Sequence, residues 1–315
     1  MKVYKDSSEF VKQKNTVITV GTFDGLHKGH LRILEKLIEK SKEVNGTNVL
    51  LTFEPHPRSV LSSFELKILT TIDEKKEILE KAGIENLIVQ NFNMEFSQMT
   101  SEQFIKKILI DDIGISHIIV GHDHKFGKDR LGDEEKLREL GKQLNFGVTT
   151  VTAEKINDEI ISSTKIRNAL LEGHVDNAAL LLGRNYSFSG YVVKGAQRGR
   201  TLGFPTANIQ PDSVYKALPR NGVYAVYCKC ADDYFSGVMN IGYRPTFENK
   251  NEIIIEVHLL DFDKDIYGEK LTVELMEYIR DEKKFASKDE LIYQIEADKR
   301  TVQEIFLNKE SKTGS

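Results

Sequence analysis

The stretch from Val17 to His30, VITVGTFDGLHKGH, constrains this chain more than any other. Val17, Ile18 and Val20 form a short apolar run that reads as a buried strand. Gly21 and Gly25 then permit a tight turn where a β-carbon would clash. Beyond Gly29 and His30, apolar residues fall at Leu31, Leu34, Leu37 and Ile38, a helical spacing, and Gly46 supplies a stop. The segment therefore reads as strand, glycine turn, helix. A helix N-terminus offers unpaired N–H groups and partial positive charge, which favour phosphate. Gly29 lets a phosphate approach the backbone, and His27 and His30, at the helix entrance, can both donate to one phosphoryl group. The bland alternative is a Rossmann-type packing turn with incidental histidines. A glycine turn is common, but His-Lys-Gly-His directly after a strand is far more specific. Neither GxxxxGK[ST] nor GxGxxG occurs here, so an ordinary phosphate loop and a dinucleotide fingerprint are both excluded.

The rest of the first half repeats this alternation. Strands are expected over 17–20, 49–53, 87–89, 118–120 and 148–151. Thr71-Ile-Asp-Glu74 has the capping-box pattern and opens a helix that Gly83 closes. Thr100-Ser-Glu-Gln103 opens another, to about Ile110, and a third runs from about Gly132 to Leu144. Strand–helix alternation implies an α/β domain with a parallel sheet and ligands beyond the carboxyl ends of its strands. Two further polar loops, Thr52-Phe-Glu-Pro-His-Pro57 and Gly121-His-Asp-His-Lys-Phe-Gly127, fall at such ends. In Ile161-Ser-Ser-Thr-Lys-Ile-Arg167, hydroxyls, new N–H groups and Arg167 meet at a helix start. That is a capping arrangement and also an anion site.

The 315 residues suit about two domains. A net charge of −4 gives no basic footprint, so nucleic acid is not an expected partner. No signal-like apolar core and no apolar run of ~18 residues occur, so a cytoplasmic protein with no membrane partner is expected. The only cysteines, Cys228 and Cys230, read as reduced thiols.

After Leu180-Leu-Leu-Gly183 the pattern changes to short strands over 186–194, 222–229, 235–240, 253–260 and 271–276. These read as a small antiparallel barrel or sandwich, closed by a helix from about Lys288 to Leu307. The domain boundary is placed after Gly183, giving domains of 1–183 and 184–315, and residues 308–315 are expected to fray. Within this half lies Lys194-Gly-Ala-Gln-Arg-Gly-Arg-Thr-Leu-Gly-Phe-Pro-Thr-Ala-Asn208. Gly195, Gly199 and Gly203 allow a loop that wraps phosphate oxygens, with Arg198 and Arg200 as cations. In extended backbone Thr206 and Asn208 share a face and offer oxygen ligands of the kind Mg²⁺ accepts beside a nucleotide. A turn-rich hairpin with polar caps would read the same way. On Ile253-Ile-Ile-Glu-Val-His-Leu-Leu260, Glu256 and His258 oppose an apolar face. A lone carboxylate there is a solvated group or a general base.

These motifs together resemble the prokaryotic bifunctional riboflavin kinase/FAD synthetase family, over about residues 1–308. Gly21-Thr-Phe-Asp-Gly25 with His27 and His30, and Ser162-Ser-Thr-Lys-Ile-Arg167, are similar to its FMN adenylyltransferase signatures. Arg198 to Asn208 is similar to its riboflavin kinase signature. The resemblance implies a Rossmann-like nucleotidylyltransferase domain followed by a small antiparallel β-barrel domain with a terminal helix. It implies phosphorylation of riboflavin by ATP in the second domain and adenylylation of the resulting FMN to FAD in the first, with release of pyrophosphate. It assigns His27 and His30 to the ATP phosphates in the transition state, and Gly21, Phe23, Asp24, Gly29, Ser163, Thr164 and Arg167 to nucleotide binding. Asp123 would face flavin, although His124 stands where relatives often carry an aromatic residue. Gly195, Arg200 and Gly203 would line the kinase loop, Thr206 and Asn208 would hold Mg²⁺–ATP, and Glu256 would be the base for the 5′-hydroxyl. Arg280 to Phe285 resembles a flap near the kinase flavin site. The partners implied are riboflavin, FMN and ATP, and a weak homo-oligomer is left open. An adenylyltransferase with an inactive β domain, or a flavin-storage protein with both sites dead, are the competing readings.

Overall fold

The computed structural model describes residues 1–315 except 64, 123–124, 129–130, 157, 196–198, 200–201, 246–250 and 314–315. The chain divides into two compact units, Met1–Ser163 and Thr164–Ser315.

The first unit is built on six strands: β1 (Lys2–Tyr4), β2 (Thr16–Val20), β3 (Asn48–Glu54), β4 (Asn86–Asn91), β5 (Ile115–Gly121) and β6 (Gly147–Val151). They form one sheet in the order β1-β4-β3-β2-β5-β6, and every pairing is parallel. Parallel neighbours need crossover connections, which cover both faces and make the strands apolar throughout. β2 is accordingly buried at all five positions. Its alternate residues feed two separate cores. Val17 joins Leu34 and Leu37 of α1 (Lys28–Glu43), with Leu50 and Leu87. Ile18 and Val20 join Val49, Leu51 and Ile88 on the opposite face.

The expected strands are all present, each longer by one to three residues at an end. β1 carries no periodic signal and was not expected; it adds an edge to β4 through Lys2–Tyr4. α2 (Pro57–Leu61) follows β3. Thr71 and Glu74 form the expected capping box of α3 (Ile72–Lys81). After α4 (Met94–Ser97), Thr100 and Gln103 form the second capping box, but only Ser101–Gln103 (α5) is α-helical. The chain then winds as a π-helix from Phe104 to Ile113 and stops at Gly114, whose φ is 72°. The expectation of an α-helix to Ile110 is corrected there: five residues of the wider helix are buried, so packing decides its winding. α6 (Glu134–Leu144) starts two residues after the expected Gly132, because Asp133 is the residue that caps it. A two-strand hairpin, β7 (Lys155–Ile156) and β8 (Glu159–Ile160), precedes the division.

α7 (Ser163–Glu172) begins at the division, and α8 (Val175–Leu182) follows it in the second unit. The structural division thus falls twenty residues before Gly183. The reason is hydrogen bonding: the Arg220 N–H donates to the Leu170 carbonyl at 2.9 Å, and Gly173 packs against Arg220 and Tyr278. Six strands follow: β9 (Ser187–Val193), β10 (Ala207–Pro211), β11 (Gly222–Cys230), β12 (Asp233–Pro245), β13 (Asn251–Leu259) and β14 (Lys270–Arg280). They close into a barrel in the order β10-β13-β12-β11-β14-β9, antiparallel at every seam. Closure removes exposed sheet edges. Phe188, Ile209, Tyr224, Met239, Val257 and Val273 are among the buried residues. α9 (Lys288–Thr313) closes the fold, with Val302 packed beside Ala225 and Leu260. It continues six residues past Leu307, so the fraying expected at 308 does not begin there. Cys228 is buried, Cys230 half-buried, and neither is in a disulfide.

Candidate active sites

β2 delivers the chain into a turn at Gly21–Leu26, beside β5, where the strand order reverses. Phe23, Gly25 and Leu26 are left-handed, with φ of 46°, 83° and 42°. Two of these are not glycine, at a cost of roughly 1–2 kcal/mol each, so outside contacts must hold them. Asp24 is 3% exposed, and its Oδ1 accepts the N–H groups of Leu69 and Thr70 at 2.9 and 3.1 Å. The Gly25 N–H donates to Thr70 Oγ1 at 3.1 Å. Asp24 therefore fixes the turn from beneath. The Ser163 hydroxyl donates to the Asp24 carbonyl at 2.8 Å.

That turn aims the histidines. His27 is the N-cap of α1, and its Nδ1 accepts the His30 N–H at 3.3 Å. With Nδ1 accepting, the proton of a neutral His27 ring sits on Nε2. The two rings stack with centroids 3.6 Å apart and planes 17° apart. Phe23 meets His30 edge to face at 5.0 Å. A β-carbon at Gly29 would lie 3.3 Å from the His27 ring, so glycine gives that ring its seat. Stacked imidazoles above an unfinished helix start make a compact donor surface for an anion. Thr164, exposed, and Arg167, half-buried, lie one turn apart on α7. Asp123 and His124 lie outside the described residues.

On the barrel, antiparallel pairing sets Asn208 directly opposite Glu256, and Glu256 directly opposite Asn240. Three polar side chains thus run in a row across β10, β13 and β12. Ile209, Val257 and Ile241, each one residue away, are buried. Thr206 and Asn208 are both half-buried and fall on the same face by the two-residue period. Two glycines make room for them. A β-carbon on Gly195 would come within 2.2 Å of Asn208 Nδ2, and one on Gly199 within 2.3 Å of the Phe204 carbonyl and 3.2 Å of Thr206 Oγ1. Gly203 is left-handed at 86° and turns the loop back, so that the Phe204 N–H donates to the Gly199 carbonyl at 2.9 Å. His258 bonds the Pro205 carbonyl through Nδ1 at 2.8 Å, and burial pushes its pKa down. This tethers the loop of Thr206 and Asn208 to the strand of Glu256. Arg198 and Arg200 lie outside the described residues.

Arg280 ends β14, at the start of the segment that the resemblance likens to a flap. Its guanidinium grips Asp298 of α9 through Nε and one terminal nitrogen, at 2.9 and 2.6 Å, and Asp298 is 5% exposed at its side chain. Tyr278 donates to Asp281 at 2.6 Å, so the residues after β14 are tied on both sides. Among the described residues, no group of three His, Cys, Asp or Glu could hold a metal. The hydroxyl and amide oxygens of Thr206 and Asn208, cradled by glycine, are instead a hard-oxygen pair suited to Mg²⁺.

Sequence reasoning passed over Lys75 and Asn240. Lys75 carried a signal: it stands four residues before Leu79, on the apolar face of α3. Asn240 carried none, because only barrel pairing sets it beside Glu256.

Residues 9–165 match the FAD synthetase family model, and residues 182–306 match the riboflavin kinase family model. A bifunctional riboflavin kinase/FMN adenylyltransferase of Buchnera aphidicola is 41% identical over 297 residues, covering 93% of this chain and 94% of the relative. The Escherichia coli K12 protein of that description is 36% identical, covering 93% and 94%. A solved structure described as a macrolide-efflux protein of Streptococcus pneumoniae superposes with a TM-score of 0.87 at 30% identity, covering 96% of this chain and 98% of that one. Among the described residues here, no helix is long and apolar enough to cross a membrane.

Proposed function

This chain belongs to the bifunctional riboflavin kinase/FMN adenylyltransferase family, and from that premise we propose how its residues divide the two reactions. The FAD synthetase domain is N-terminal and the riboflavin kinase domain C-terminal, and ATP and flavins are the substrates. By function, the adenylyltransferase domain is assigned residues 1–183 and the kinase domain 184–315.

In the kinase step, the Glu256 carboxylate takes the proton of the riboflavin 5′-hydroxyl as that oxygen attacks the terminal phosphorus of ATP and ADP leaves. An alcohol is a poor nucleophile, so a base is needed here. Thr206 and Asn208 would hold Mg²⁺, which would neutralise phosphate charge there. Gly195, Arg200 and Gly203 are assigned to the ATP phosphates of this step. The observation that carries this reading is the cross-strand pairing of Asn208 with Glu256, since it offers the metal ligand and the base on one face.

In the adenylyl step, an FMN phosphate oxygen attacks the innermost phosphorus of ATP and pyrophosphate leaves. The nucleophile is already an anion, so charge neutralisation and alignment suffice. His27 and His30 take that role with Gly21, Phe23 and Gly29 around them; Asp24 acts by holding the turn. Ser163, Thr164 and Arg167 are assigned to phosphate, and Asp123 to flavin. The site of action is the cytoplasm, and a net charge of −4 disfavours nucleic acid as a partner.

The test is direct. The purified chain is incubated with riboflavin, ATP and Mg²⁺, and flavins are followed by chromatography. FMN should appear first and FAD after it. Conversion of supplied FMN without any phosphorylation of riboflavin would reject the kinase assignment.

A further inference from the structure

Lys75 is 4% exposed, and neither reaction as assigned above uses it. Its Nζ donates to the Thr22 carbonyl at 2.6 Å and to Thr52 Oγ1 at 3.0 Å, and Thr52 Oγ1 donates to the same carbonyl at 3.2 Å. Burying an ammonium is costly. Here burial brings its pKa down to about 8, while the charges of Asp24 and Glu54 pull the other way. A methionine would fill this position of α3 without that cost, so the lysine is explained by what it holds. The Thr22 carbonyl belongs to the peptide that leads into Phe23, whose φ is 46°. The Phe23 ring in turn bears on His30 at 5.0 Å.

We propose that Lys75 is a positioning residue for FMN adenylylation: it clamps the Thr22 carbonyl, keeps Phe23 left-handed, and so holds the His30 ring where it meets the nucleotide. The inference rests on the assignment of His30 to the ATP phosphates. Asp24 and Lys75 grip the turn on either side of Phe23, and at the Thr22 carbonyl before it Lys75 makes the shorter bond, 2.6 Å against 3.2 Å for Thr52.

The full chain carrying Lys75→Met is assayed for both reactions. Its kcat for FMN adenylylation should fall about tenfold or more, with a smaller change in KM for ATP, because a misplaced transition-state group acts on kcat. Riboflavin phosphorylation should stay within about twofold, and because Lys75 lies in the first unit, folding of that unit is read separately from a cooperative unfolding transition and near-wild-type circular dichroism. The wild-type adenylylation rate should decline above about pH 8, and the variant should lack that limb. Adenylylation within about twofold of wild type overturns the proposal, and so does an equal loss of both reactions, which marks a structural role only. Should Lys75→Met fail to fold, Lys75→Gln decides, since its shorter side chain keeps a polar end but withdraws the ammonium from the Thr22 carbonyl. A loss of adenylylation alone supports the clamp, and unchanged adenylylation overturns it. His30→Ala is run in parallel: normal FAD output there rejects the site assignment itself, independently of Lys75.

Discussion

Asn208 and Glu256 face each other across one seam of the barrel, a direct antiparallel pair of β10 and β13. Paired residues of this kind have β-carbons about 4.5–5.5 Å apart on a common face. An amide oxygen that can bind a cation and a carboxylate that can take a proton are thereby held side by side by backbone hydrogen bonds. Neither position needs a flexible loop to bring it there.

Glu256→Gln keeps the shape and removes the base. Riboflavin phosphorylation should fall by about 10²-fold or more, while added FMN is still converted to FAD. Chromatography of the two reactions separates them, and loss of both would mean that the domains are assigned wrongly.

His30→Ala removes one of two stacked rings. FMN should accumulate from riboflavin, with FAD formation down by about 10²-fold. A normal FAD yield would take the histidines out of the mechanism.

Gly195→Ala should act on function rather than stability. The new β-carbon would meet the Asn208 amide at 2.2–2.5 Å. A side-chain end can move aside, so the fold should survive while Asn208 is displaced. The expected result is a raised KM for ATP in phosphorylation, an unchanged melting temperature and normal adenylylation.

Asp298→Ala leaves the Arg280 guanidinium without its buried carboxylate. Breaking one side of such a pair costs about 3–5 kcal/mol. Denaturant unfolding should show the loss, and the double change Arg280→Met with Asp298→Met should recover part of it.

Stability should depend on pH through Lys75. Its amine titrates near 10.5 in the unfolded chain and near 8 in the folded one. Between those values the unfolded chain binds a proton that the folded chain does not, so stability gains with rising pH in that window. Below about pH 8 both states are protonated and the gain is absent. The difference between wild type and Lys75→Met in urea midpoint, measured at pH 7.5 and pH 10, should shift in favour of wild type at the higher pH.

How much of this was legible in advance depended on the range of the interaction. His27 and His30 are three residues apart at a helix start, so glycines, period and capping chemistry disclosed them directly. For Thr206 and Asn208 the two-residue period discloses a shared face, and their assignment to Mg²⁺ rests on the family resemblance. The capping boxes at Thr71 and Thr100 are local as well, yet the helix after Gln103 widens into a π-helix under tertiary packing. The edge strand at Lys2–Tyr4 left no trace, since three residues carry too little periodicity.

The sequence by itself determined the two fold classes and the local motifs to which the chemistry is assigned. These rest on dihedral preference and on periods of 2 and 3.6 residues, which act over a few neighbours. Only the tertiary structure decided that Asn240 stands beside Glu256, that Asp24 braces a turn, and that Lys75 lies buried beneath that same turn. Those contacts join residues far apart in the chain. Strand register and helix packing set them, and no local pattern encodes either.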